Sequence, residues 1–168
     1  MVSLFLRTVD LISKIAAVIA GLMLIAAMLV ICEMIFLRYV FRAPTIWQTD
    51  FVIFSATAAM FLGAPYVLKT RGHVGVDVIE SALAPGPRRL LGVLGASLGL
   101  LFAVLMTMAS AMFFHEAYVN EWRTSTVAAI TLWIPLLPLP VSFALLSLQY
   151  VAELVRRLGG TYEAGEHA

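Results

Sequence analysis

Charge is what this sequence has least of. Asp, Glu, Lys and Arg make up 12% of its 168 residues, where a soluble domain carries roughly 25%. With apolar residues at 62% and a mean hydropathy of +0.98, the apolar surface exceeds what one small core can hide. A soluble globular domain is excluded. The two signs nearly cancel, at net +1, and no basic tract alternates with aromatics, so nothing supports nucleic-acid binding. Cysteine occurs once, at Cys32, which excludes an internal disulfide and leaves no zinc or iron–sulfur spacing. His73 and His115 lie at the ends of apolar runs on opposite sides, and His167 is in the tail, so a bundle haem lacks paired axial ligands. No cofactor or metal is expected. Nor does a Gly-rich loop open a helix, or a Ser, His and Asp set share one depth, so no enzyme is expected.

What is present is a set of charge-free windows, and these define membrane spans, because an Asp, Lys or Arg at a helix centre costs about 2.5–3.5 kcal/mol on insertion. Ile15 to Cys32 is the first, bounded by Lys14 and Glu33. Phe51 to Leu68 lies between Asp50 and Lys69, and Leu90 to Phe114 between Arg89 and His115. Thr124 to Ala152 is the fourth, too long for one simple span and holding Pro135, Pro138 and Pro140. An irregular approach, then a helix kinked at Pro140, is expected there. The fold class is thus all-α integral membrane. Helices are predicted over about residues 15–36, 47–68, 89–115 and 132–156, with a short interfacial helix over 74–83 and a disordered tail over 159–168.

The first apolar run is longer than the roughly 7–15 residues of a cleavable signal, so an uncleaved first span is expected. Eight Lys and Arg residues fall on one side (Arg7, Lys14, Lys69, Arg71, Arg88, Arg89, Arg156, Arg157) and three on the other (Arg38, Arg42, Arg123). The positive-inside rule then puts both termini in the cytoplasm.

The connections carry the remaining chemistry. Leu37 to Ile46 reads as a tight outer hairpin, with Trp47 opening the second span at headgroup depth. Glu33 and Asp50 share this level, and Arg38 or Arg42 pairing with Asp50 across the hairpin is the expected geometry. Between the second and third spans, Val76, Ile79 and Leu83 share one helical face, while Asp77, Glu80 and Ser81 share the other. That pattern fits an amphipathic helix in the interface with an acidic polar face, suited to basic side chains. Arg71 and His73 precede it. In the third span Gly92, Gly95 and Gly99 form a small-residue stripe that admits another helix closely.

Four spans without an internal repeat or a mid-membrane carboxylate make a poor self-sufficient transporter. An accessory subunit is the preferred reading. A small homo-oligomeric exporter with Glu33 as proton carrier, and an anchor for an enzyme complex, are the alternatives.

A resemblance is carried by Arg38, Trp47 with Asp50 three residues on, Gly63, the run Arg71-Gly72-His73-Val74-Gly75-Val76-Asp77, Pro85, Arg88-Arg89, Ser125, Trp133 and Pro140. Over roughly residues 38–151 the chain resembles the small membrane subunit of tripartite ATP-independent periplasmic (TRAP) transporters, DctQ-like. Asp50 stands where a Glu often follows the Trp, and Val141-Ser142 follows Pro140 where a Gly is common. The resemblance implies a bacterial inner-membrane protein paired with a large elevator-type subunit that holds the substrate and sodium sites. It also implies a periplasmic binding protein that delivers a carboxylate-bearing solute. On this reading Arg38, Trp47, Asp50, Arg71, His73, Asp77, Arg88 and Arg89 face partner or lipid, and Gly63, Gly92, Gly95, Gly99 and Pro140 serve helix packing.

Overall fold

A computed structural model describes residues 2–70 and 85–158 of the chain, and side chains over 4–70 and 90–158. The predicted interfacial helix over 74–83, with Arg71, His73 and Asp77, lies outside the described residues, as do the 159–168 tail and the side chains of Arg88 and Arg89. The described part is helical almost throughout. Helix α1 (Val2–Phe36) runs into one π-helical turn (Leu37–Phe41), followed by α2 (Gln48–Lys69), α3 (Pro85–Val119), a short α4 (Trp133–Leu136) and α5 (Pro138–Leu158). Four runs are long and apolar enough to cross a membrane: Leu4–Phe41, Gln48–Lys69, Leu90–Val119 and Trp133–Arg157. Helices are the form such runs must take, since hydrocarbon offers no partner for a backbone N–H or C=O.

Two local features differ from expectation. Helix α1 begins at Val2 rather than near residue 15, so its first turns extend beyond the charge-free window. The fourth span divides at Leu137 into α4 and α5, although the Leu137 backbone itself is helical (φ −55°, ψ −40°). Pro138 and Pro140 both sit in the first turn of α5, where helical N–H groups have no intrahelical acceptor, so their missing donors cost nothing there.

Helix α5 is the hub: it packs against α1, α2 and α3, and α1 packs along α2. Among the described residues α3 touches neither α1 nor α2, so it is held to the bundle through α5 and the short α4. The contact surfaces are built from small residues. Ser13, Ala20 and Ala27 on α1, and Ala96, Ala103, Ser110 and Ala117 on α3, recur every seventh residue and are all buried. A seven-residue seam stays facing a partner helix that crosses at a shallow left-handed angle, and small side chains let the backbones approach. On α3, a Cβ placed at Gly99 would fall on the Tyr150 ring of α5. Gly92 is buried as well. Gly63 and Gly95, expected at helix contacts, face open space within the chain.

Candidate functional site

Polar side chains collect at the two ends of the bundle. At the end where the chain starts and α5 finishes, Asp10 of α1 is the centre. Arg156 Nη2 donates to both Asp10 carboxylate oxygens at 2.7 Å, and Lys69 Nζ at the end of α2 stands 3.4 Å from Oδ2. Gln149 Nε2 reaches Asp10 Oδ1 at 3.5 Å, and Gln149 Oε1 accepts from Ser13 Oγ at 3.1 Å. Ser13 and Gln149 are each only 1% exposed. One carboxylate thus ties α1, α2 and α5 together, and charge-assisted bonds of this kind are worth about 1.5–3 kcal/mol each. Arg157 also bonds Glu153 one turn back, at 2.8 Å.

The sequence reading missed Asp10, Ser13 and Gln149. A signal was there for one of them: Ser142, Gln149 and Arg156 are seven apart, which puts all three on one face of α5. A Gln inside an apolar span needs a partner, and its face pointed toward the charged end.

At the opposite end, the 42–47 turn and the 120–132 loop form a lid over the helices. Arg42 adopts a left-handed conformation (φ 52°) as the chain leaves the π turn, and Ala43 N–H returns to Leu37 O at 3.2 Å. Helix α3 ends in a similar device. Glu121 takes φ 47°, Trp122 N–H bonds Ala117 O at 3.1 Å, and Glu121 N–H reaches Tyr118 O at 3.4 Å, satisfying carbonyls the helix end leaves open. The loop then doubles back, with an antiparallel bridge between Arg123 and Thr131. Thr124 accepts from Ile130 N–H at 2.9 Å and lies 2.8 Å from Thr126, hydroxyl to hydroxyl. Thr126 Oγ1 donates to Asp50 Oδ2 at 2.6 Å.

This corrects the expected pairing of Asp50 with Arg38 or Arg42. Asp50 is 7% exposed and turned under the loop, whereas Arg38 faces the turn and its Nε donates to Thr45 Oγ1 at 2.7 Å. The α2 N-terminus supplies Asp50 with the positive end of the helix dipole, so the carboxylate does not require a guanidinium. Trp47, half exposed, meets Phe51 edge-on. Rings also gather under the loop, where Trp122 packs on Phe113 and Trp133 on Tyr118. Glu33 is exposed, and among the described residues no hydrogen bond or ion pair reaches it. Nor do His, Cys, Asp and Glu side chains there gather into a group that could hold a metal ion.

Neither cluster is a catalytic arrangement: each joins parts of the chain to one another. Comparison with known proteins gives the arrangement a context. The family described as tripartite ATP-independent periplasmic transporters, DctQ component, matches residues 27–160. Three relatives carry the name C4-dicarboxylate TRAP transporter small permease protein DctQ. The Pseudomonas aeruginosa protein is 32% identical over 59% of this chain and 48% of its own length. That of Rhodobacter capsulatus is 26% identical over 63% of this chain and 46% of its own. The Vibrio cholerae protein is 25% identical over 48% and 35%. The match therefore spans about half or less of each relative's length. No solved structure matches the chain significantly. The family match takes in the three complete spans after α1, the lid with Asp50 and Thr126, and Gln149 and Arg156 of the clasp, and it places this chain among the DctQ components of tripartite ATP-independent periplasmic transporters.

Proposed function

We propose that this chain is the small permease subunit of a TRAP transporter in a bacterial inner membrane, with both termini cytoplasmic. In this role it braces a large elevator-type subunit during sodium-coupled uptake of a carboxylate-bearing solute, such as a C4-dicarboxylate. A periplasmic binding protein delivers the solute to the pair. The observation that carries the reading is the family match over residues 27–160. The architecture supports it: a helix moving against a carrier would have to break the Asp10 clasp, whereas a stationary brace profits from helices pinned at both ends. Arg38 holds the outer turn through Thr45 and Asp50 holds the 120–132 loop through Thr126, while Arg71, His73, Asp77, Arg88 and Arg89 meet the partner or lipid headgroups on the cytoplasmic side.

The test is purification of the tagged chain from native membranes in mild detergent, with mass spectrometry of what accompanies it. A large multi-helix membrane protein in equal amount is the expected result. Recovery of the chain alone, as a stable homo-oligomer, would overturn the reading.

A further inference from the structure

Helix α1 is too long for the membrane it crosses. Its run from Leu4 to Phe41 holds 38 residues, about 55 Å of helix, whereas a bilayer measures roughly 40–45 Å with its headgroups. The usual tilt of ~20° shortens that reach by only about 3 Å. Both extremities expose large apolar side chains beside charges: Leu4 is 71% exposed near Arg7, and at the other end Tyr39 is 83% and Phe41 65% exposed, between exposed Arg38 and Arg42.

Helix α2 marks where the membrane boundary lies on α1. Thr49 Oγ1 reaches Met34 Sδ at 3.8 Å, so Glu33 stands level with the first turn of α2, where Asp50 sits. Beyond Glu33 the chain climbs about 12 Å further, past a headgroup layer of roughly 5–7 Å. That crest exposes Phe36, Tyr39, Val40 and Phe41, with Glu33 at its base, unpaired among the described residues. Asp50, at the same level, is closed in by Thr126. Helix α3 shows what lipid suffices to cover. Its outward stripe from Leu91 through Leu98 and Leu105 to Met112 spans about 32 Å, and exposed His115 and Glu116 end it.

We propose that the crest of α1 is a docking surface for a membrane helix of a partner protein, which lies along it and brings a Lys or Arg side chain to Glu33. The partner is the large subunit, so the inference rests on the function proposed above. Charge selects the occupant. A carboxylate between apolar faces gains from a cation and loses from another carboxylate. A second copy docked about an axis normal to the membrane would bring two Glu33 carboxylates to the same depth, and self adducts at position 36 are the outcome that would reveal it. A lipid ammonium could also pair with Glu33, and a lipid adduct at position 36 is the outcome that distinguishes it.

The experiment places a photo-crosslinking phenylalanine analogue at Phe36 and, separately, at Leu98, in full-length chain within membranes that carry the whole transporter. A cross-link to the large subunit from position 36 and none from position 98 is expected. Glu33→Lys lowers the position-36 cross-link about tenfold through like-charge contact, and Glu33→Gln lowers it less. Co-purification of the large subunit with only lipid or self adducts at position 36 would overturn the inference while sparing the subunit reading. Equal cross-linking from position 98 would overturn the choice of face. A tagged chain that purifies without any large subunit would overturn the subunit reading and the inference with it.

Discussion

The two ends of the bundle are closed by different means. At the Asp10 end, helices are tied to helices among the described residues: one carboxylate takes Arg156, Lys69 and Gln149 from two neighbours. At the Asp50 end the tie runs through a loop, Thr126 to Asp50, and the end of the α1 run is bonded only to its own following turn, Arg38 to Thr45 and Ala43 N–H to Leu37 O, among the described residues. The first device fixes three helix ends against one another. The second fixes a lid and leaves the last turns of α1 standing free. That overhang is the surface on which the proposed docking rests. Helix α3 belongs to neither device and is held by its small-residue seam on α5.

If the Asp10 end is the stronger closure, breaking it has the largest effect. Asp10→Ala removes the acceptor of Arg156 and Lys69, and a loss of about 3 kcal/mol is expected, since it strands a partly buried guanidinium. Thermal unfolding in detergent reads this out, and an Asp10→Arg, Arg156→Asp exchange should recover part of it. A midpoint unchanged in Asp10→Ala would erase the contrast between the ends. Next comes the seam: Gly99→Leu drives a side chain into Tyr150 and should cost about 2 kcal/mol. Gly95→Leu, which meets open space, serves as its neutral comparison.

The loop closure is weaker. Thr126→Val deletes the hydroxyl bonds to Asp50 and Thr124 and should cost about 1.5 kcal/mol, detected as earlier proteolysis of the 120–132 loop rather than loss of the bundle. Global unfolding as severe as in Asp10→Ala would show the two ends to be equivalent. Arg38→Ala is the mildest, within about 0.5 kcal/mol, because its Thr45 contact is exposed. A larger loss in isolated chain would mean that the turn needs Arg38 for its shape. A loss confined to the assembled complex would instead make Arg38 a partner contact.

Much of the architecture was legible before the structure. Lys14, Glu33, Asp50, Lys69 and Arg89 delimit the charge-free windows from which the spans are counted, because a charge near the bilayer centre is costly. That penalty acts on each residue in its own segment and needs no knowledge of neighbours. The prolines were half legible: Pro135, Pro138 and Pro140 announced a break, but the division at Leu137 depends on which first-turn N–H groups stay unpaired. Partner choice was not legible. Arg38 looked like the mate of Asp50 because the two are close along the chain, yet Asp50 turns under a loop 76 residues away.

Span number, order and the all-helical class followed from the chain because they are set by local transfer costs and by backbone groups that must bond within their own segment. Family membership was legible for the same reason, from motifs read along one strand of text. Only the tertiary structure decided that α5 is the hub, that Asp10 pairs across 146 residues with Arg156, and that no described side chain pairs with Glu33. Those outcomes depend on how helices rotate and slide against one another. Seams of alanine, serine and glycine settle that by close approach, and a one-dimensional pattern of polar and apolar letters does not carry it.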